Sequence, residues 1–412
     1  AEEILQRGDV VRLFENAEGG WQLSQIPAVD GGLISLRPSD GAIYALVGGF
    51  DFQRSKFNRV TQAYRQPGSG FKPFIYSAAL ETGKTAGTII NDAPVVFNDP
   101  GIEDEWRPEN YSRKSYGPTR LREALTHSRN LVSIRLLHDI GVPFALQHIA
   151  RFGFDIDRLP KNLSLALGSG EITLWEQARG FSVFANGGYL IDPYFIDSIK
   201  AQDSDIIYQS KPRVVCPECE IAGENIVPEP GVTATAVNTE PVTTLYAPRV
   251  VNPQNIWVMN SMTRDVIRNG TGRRALVLGR KDLSGKTGTT NDQHDAWFSG
   301  FNSDIVTVTW VGFDEFLPLG SQETGARAAL PMWIEYMHTA LEGMPESVME
   351  RPSGLVDVLI DPATGRVSSS NNPDAIFETF RSGDKPQEDT ESGHSGMAPD
   401  QDNNETIPEK LF

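Results

Sequence analysis

Between Phe71 and Leu80 the apolar residues Phe71, Phe74, Ile75, Ala78, Ala79 and Leu80 recur at intervals of three and four, and Gly83 follows them. That spacing predicts a helix with one buried face, starting near Gly70 and stopping at a glycine. Pro73 is compatible with it, because the first four helical N–H groups have no intrahelical partner to lose. The runs "TRLREALTHSRNLVSIRLLHDIG" and "TLWEQARGFSVFANGG" carry the same period and also end at glycines, so the chain from 70 to 195 reads as mostly helical.

Other segments read as strands. "DVVRLFENAEGGWQLSQI" is a short hairpin turning at Gly19 and Gly20, a fragment of a small β domain or linker (residues 1–30) with too little core of its own. "LISLRPSDGAIYALVGG" holds two strands joined by a turn at Pro38 to Gly41. After an amphipathic helix, "NIWVMNSMTRDVIRNG", the runs "LSGKTGTT", "DAWFSGF" and "IVTVTWVGF" make an antiparallel meander, and "ALPMWIEYMHTALEG" closes with a helix. Two strands before the helical block and three after it predict an α+β fold. Its core is a five-stranded antiparallel sheet flanked by helices, with a helical subdomain inserted between the halves and a cleft where the parts meet. This domain spans 31–350 and includes a polar, proline-bearing loop insertion at 201–253. A final region, 351–412, begins with the hairpin "GLVDVLIDPATGRVSS". It ends in a tail whose residues 381–412 hold eight carboxylates against three basic side chains and are expected to be disordered.

Composition narrows the function. At 412 residues with 39% hydrophobic content the chain can bury a large core. Its 37 basic and 54 acidic residues leave a formal charge of -17, which argues against nucleic acid or an anionic membrane surface as partner. No apolar run reaches the roughly 20 residues that span a bilayer. The two cysteines, Cys216 and Cys219 in "CPEC", cannot complete a structural zinc site without distant histidines, so a local disulfide or two free thiols is expected, and no metal.

The candidate chemistry starts at Ser69. With Lys72 it forms S-x-x-K at the predicted helix start, where i, i+3 spacing brings an amine to the same face as the hydroxyl. The bland alternative is a serine N-cap beside a surface lysine. Chance scatters roughly one or two such matches through a chain of this length, and Ser382 to Lys385 in the acidic tail is one. "SGKTGTT", Ser284 to Thr290, contains the only K-T-G and lies on an edge strand. A phosphate loop is excluded because five residues separate Gly279 from Gly285 and a strand follows where a helix is needed. Between the two motifs, "THSRN" sets Ser128 and Asn130 in S-x-N spacing. The order S-x-x-K, S-x-N, K-T-G is the three-part pattern of serine β-lactamases and penicillin-binding proteins.

"RQPGSGFKPF", "SRN", "LALGSGEIT", "ANGGY" and "GKTGTTND…DAWFSGF" closely resemble the transpeptidase half of class A penicillin-binding proteins, 1a type, of Gram-negative bacteria, over about residues 31–345. The resemblance implies a serine D,D-transpeptidase that binds peptidoglycan stem peptides and β-lactams and needs no cofactor. It implies a parent protein with a glycosyltransferase domain and a membrane anchor, working on the periplasmic side of the inner membrane. Ser69 is then the nucleophile, a neutral Lys72 its base, Ser128 the group that protonates the leaving amine, and Asn130 the holder of Lys72 and substrate. Lys286, Thr287, Gly288 and Thr289 would receive the terminal carboxylate, with the N–H groups of Ser69 and Thr289 as oxyanion hole. Gly70, where the family more often has serine or alanine, should loosen the helix start slightly. A class A β-lactamase is disfavoured by the lack of E-x-x-L-N between Asn130 and Lys286. A D,D-carboxypeptidase and a non-turnover penicillin sensor stay open as alternatives.

Overall fold

The computed structural model describes residues 5–16, 18–96, 106–202, 205–221 and 244–386. Strands β1 (Asp30–Leu36), β2 (Ile43–Val47), β3 (Ser284–Thr289), β4 (Asp295–Phe301) and β5 (Val306–Gly312) pair antiparallel in the order β3-β4-β5-β1-β2. The long-range step is β5 on β1, in register from Val306 opposite Leu36 to Gly312 opposite Asp30. This joins the halves as the split pattern predicted and leaves β3, with its K-T-G, at an edge.

Successive side chains of β4 and β5 enter different cores. Ala296 and Phe298 pack in a cluster with Trp333 and Met337 of α7 (Leu330–Ala340), while Trp297, Val308 and Trp310 join the large cluster of the helical side. That larger layer contains α1 (Lys72–Glu81), α2 (Leu121–Thr126), α3 (Asn130–Ile140), α4 (Val142–Ala150), α5 (Leu174–Ala185) and α6 (Pro253–Arg268). Around α1 the rings of Phe71, Phe74, Phe152, Phe154, Phe181 and Phe184 pack at centroid distances of 4.8–5.4 Å for every pair with Phe74. A Cβ at Gly180 would stand 2.8 Å from the Phe154 ring, so this glycine admits the cluster.

Four sequence expectations are corrected. First, α1 has no exposed face: every residue from Lys72 to Leu80 is buried. Its polar members are satisfied internally, Ser77 by His148 Nε2 at 2.9 Å and Asn255 Oδ1 at 3.0 Å. Second, the periodic run from 119 to 141 is two helices broken at His127 to Arg129, and a hairpin, Ile89–Asp92 with Gly117–Arg120, interrupts the helical block. Third, the 201–253 segment holds regular structure among its described residues. Ile206–Gln209 pairs with Ser198–Lys200 and Arg213–Val214 pairs in parallel with Leu245–Tyr246, while Cys216 is bonded to Cys219 in a local disulfide, one of the two expected states. Fourth, Leu355–Ile360 pairs not with the residues just after its turn but with Ile376–Arg381, with a single bridge from Ile360 to Val367. The expected disorder from 381 therefore fails at its start, since Arg381 bonds Asp384 at 2.6 Å and the Leu80 carbonyl. The acidic tail beyond 386 lies outside the described residues. At the other end, Arg12–Glu15 and Trp21–Ser24 form the expected hairpin.

Candidate active site

Ser69 lies in a 3-10 turn, Gly68–Phe71, that runs directly into α1 with Pro73 in its first turn. Neither helix start has a side-chain cap, so the hydroxyl is not spent on capping and the bland reading of Ser69 fails. Gly68 has φ +55°, and a Cβ there would overlap the Thr289 carbonyl, so this glycine lets the Ser69 turn lie against the edge strand. From the other side, Gln177 of α5 donates through Nε2 to the Gly70 carbonyl at 3.1 Å and to Ser299 Oγ of β4 at 3.2 Å. The sheet and α5 thus grip the turn together.

Ser128 owes its position to how α2 ends. The N–H of Ser128 donates to the Leu125 carbonyl and that of Arg129 to the Ala124 carbonyl, the paired bonds of a Schellman stop with Ser128 at the left-handed position, φ +58°. Glycine normally fills that position, and a non-glycine residue there is strained by about 1–3 kcal/mol. α3 then starts at Asn130.

These turns bring four of the predicted residues together. Lys72 has no solvent exposure and donates from Nζ to the Ser128 carbonyl (2.9 Å), Ser128 Oγ (3.3 Å) and Asn130 Oδ1 (2.7 Å). Lys286, equally buried, donates to Ser128 Oγ (3.0 Å) and the Thr287 carbonyl (2.9 Å). One hydroxyl therefore lies between two buried lysine nitrogens. Desolvation, then the Lys286 charge, holds the Lys72 pKa well below its ordinary value, against a smaller upward pull from Asp92. Desolvation lowers Lys286 to about 7. The fifth residue, Ser69, lines the same cleft, but its Oγ is not among the hydrogen-bond partners of Lys72.

On the edge strand, Thr289 Oγ1 accepts from the Gly325 N–H at 3.0 Å, which leaves the Thr289 hydroxyl proton free to donate into the cleft. Thr287 Oγ1 shares a 2.6 Å hydrogen bond with Thr271 Oγ1. Gly288 has no room for a side chain, since a Cβ would stand 2.9 Å from the Trp297 Cβ and 3.2 Å from the Gly70 nitrogen.

The cleft has a volume of about 780 Å³ and is lined by Ser69, Ser128, Asn130, Thr287 and Thr289. It also takes in segments to which the sequence reading assigned no role: Trp106 to Tyr111, Ser164 to Ser169, and Asn291 to Gln293. The first carries a visible signal, two aromatics around a proline and an asparagine in "WRPENY", which no helical or strand period explains.

The Transpeptidase family model, described as the penicillin binding protein transpeptidase domain, matches residues 31–315. The chain is similar to penicillin-binding protein 1A of Pseudomonas aeruginosa, with 48% identity over 93% of this chain and 49% of that protein. It is also similar to penicillin-binding protein 1A of Vibrio cholerae, with 38% identity over 94% and 49%. Among solved structures, penicillin-binding protein 1A from Haemophilus influenzae superposes with a TM-score of 0.83 at 38% identity, covering 91% of this chain and 56% of that one. The PonA1 protein from Mycobacterium tuberculosis, solved in complex with penicillin V, shares the fold at a TM-score of 0.63 and 20% identity over 80% and 82%. The chain spans about half the length of the curated relatives it matches.

Proposed function

The chain belongs to the penicillin-binding protein transpeptidase domain family, and from that premise we propose that it is a serine D,D-transpeptidase, cross-linking peptidoglycan stem peptides through an acyl-enzyme that β-lactams also form. The observation that carries this reading is the Ser128 hydroxyl, held 3.3 Å from Lys72 Nζ and 3.0 Å from Lys286 Nζ. A hydroxyl set between two buried amines, both with pKa values lowered by desolvation, is a path for protons.

In the proposed reaction Ser69 Oγ attacks the carbonyl between the two terminal D-alanines of a donor stem. The Oγ–C bond forms as the Ser69 proton passes to neutral Lys72. Apo contacts of this kind are often loose and close in the substrate complex, so the missing Ser69–Lys72 hydrogen bond is compatible with the role. When the C–N bond breaks, the proton returns through Ser128 Oγ to the departing D-alanine amine. Asn130 keeps Lys72 aimed. The carboxylate of the leaving residue meets protonated Lys286 and the hydroxyls of Thr287 and Thr289, and its arrival raises the Lys286 pKa from about 7 and so keeps the charge in place. The N–H groups of Ser69 and Thr289 receive the developing oxyanion. A second stem peptide then brings an amine, proposed to be that of a diaminopimelate side chain. Its nitrogen attacks the acyl carbon, Lys72 takes its proton, and Ser69 leaves as the free hydroxyl.

The same reading puts the domain on the periplasmic side of the bacterial inner membrane, within a parent protein that also polymerises glycan. No helix among the described residues is long and apolar enough to cross a membrane. The test is a supply of glycan strands bearing pentapeptide stems with free side-chain amines, with products read by mass spectrometry. Cross-linked dimers with release of one D-alanine per link are expected. Tetrapeptide alone, with amine present, would replace the transpeptidase by a carboxypeptidase, and a stable adduct with no turnover would make it a sensor.

A further inference from the structure

An asparagine can hold a lysine only in one of its two amide flips, so something must fix Asn130. α3 has no local cap, because Arg129 at its N-cap position offers no side-chain bond. The cap comes from 20 residues away. Asn110 Oδ1 accepts from the N–H of Asn130 at 2.7 Å and more weakly from that of Leu131 at 3.4 Å. Asn110 is itself buried and oriented, donating from Nδ2 to Asp92 Oδ1 at 2.7 Å and to the Lys114 carbonyl at 2.9 Å. Turned over, its oxygen would face a carboxylate and a carbonyl while its NH2 faced two helix N–H donors. The carbonyl of the neighbouring Glu109 accepts from Asn130 Nδ2 at 2.9 Å, and this leaves Asn130 Oδ1 for Lys72. Asp92 is fully buried, and the reaction above gives it no role.

We propose that Asp92 and Asn110 are positioning residues, a buried relay that caps the start of α3 and so holds Asn130 where its Oδ1 meets Lys72, the Glu109 carbonyl fixing its flip. The relay rests on the reading of Ser69 as nucleophile and Lys72 as base. The charged groups facing Lys72 are Lys286 on β3, which favours the neutral amine, and Asp92, which favours the protonated one. Facing Asp92 are Arg129, with Nε 4.0 Å from Oδ2, and the Tyr76 phenol of α1, while Arg135 of α3 is taken up by the carbonyls of Ala93 and Pro94. Lys114 meets Asn110 through its carbonyl. Two effects are therefore separable: aim, which passes through Asn110, and charge, which comes from Asp92.

The test measures second-order acylation of the full chain by a fluorescent penicillin from about pH 5 to about pH 10. Rates are normalised to folded protein by thermal melts, and the labelled peptide is mapped in each variant. Asn110→Ala is expected to lower the maximal rate by roughly ten- to a hundredfold through lost aim, without moving the acid limb to lower pH. Asp92→Asn is expected to lower the maximum too, and also to move the acid limb down by roughly half a unit to one unit, since the carboxylate no longer favours protonated Lys72. An acid limb that stays in place or moves up in Asp92→Asn, or a wild-type rate in Asn110→Ala, overturns the relay. Should Asp92→Asn not fold, Asp92→Ser removes the same charge and is read against the same limb. Absence of label on Ser69 in the wild-type chain would instead overturn the reading beneath it.

Discussion

A buried lysine with no acid beside it destabilises the protein that holds it, and Lys286 is such a residue. Its folded-state pKa of about 7 lies below the ordinary 10.5, so between these values the unfolded chain binds more protons and stability rises with pH. The destabilisation is complete below about pH 7 and relieved above about pH 10.5. Lys286→Met should therefore raise the melting temperature relative to wild type most at pH 6, with the difference shrinking steadily toward pH 10. A pH-independent difference would contradict the assigned burial effect. Ser128 stores strain of another kind. Ser128→Gly removes the left-handed penalty and Ser128→Ala keeps it, so the glycine variant should be the more stable by about 1 kcal/mol in denaturant unfolding, although both remove the hydroxyl between Lys72 and Lys286. Equal stability would show that the φ of +58° is not strained. Motif spacing made Ser69, Lys72, Ser128, Asn130 and Lys286 legible as candidates. The relay behind Asn130 was not, because its cap reaches across 20 residues and a helix reads local partners only.

Among the elements, the sheet was the most legible. The strands β3 to β5 are short runs separated by tight turns, and the split of two and three left few ways to close a five-stranded sheet. The break between α2 and α3 was hidden for a physical reason: the usual glycine of a Schellman stop is replaced by Ser128, so apolar periodicity ran on unmarked across it. The one-faced reading of α1 failed because Lys72 and Ser77 look like solvent residues until their internal partners are known. The join of the Ser69 turn to β3 depends on Gly68, where both the φ of +55° and the Thr289 carbonyl exclude a side chain. Gly68→Ala should push the turn off the strand and cut the acylation rate by about a hundredfold or more, measured by the same penicillin assay. A rate within a factor of about two of wild type would mean that the turn tolerates the shift.

At the scale of the whole molecule, the C-terminal hairpin fastens onto α2 and, through it, α6. Glu378, 2% exposed, accepts from Arg122 at 2.6 and 2.8 Å and from Arg120 at 3.3 Å, and Arg122 continues to Asp265 of α6 at 2.8 Å. Glu378→Ala leaves two guanidinium groups short of a buried partner, and the expected loss in denaturant unfolding is about 3–5 kcal/mol. A loss below about 1 kcal/mol would mean that the hairpin is an appendage. The alternating pattern revealed a strand at 355–360 but not its mate, because pairing across 15 intervening residues leaves no local trace. All of these arrangements serve one claim, that Ser69 is the nucleophile of an acyl-enzyme. The most direct measurement is to incubate the protein with a fluorescent penicillin, digest it and locate the adduct by mass spectrometry. The account predicts a single adduct on Ser69, abolished by Ser69→Ala with the melting temperature preserved, since no cap is lost. An adduct on any other residue, or labelling that survives Ser69→Ala, would contradict it.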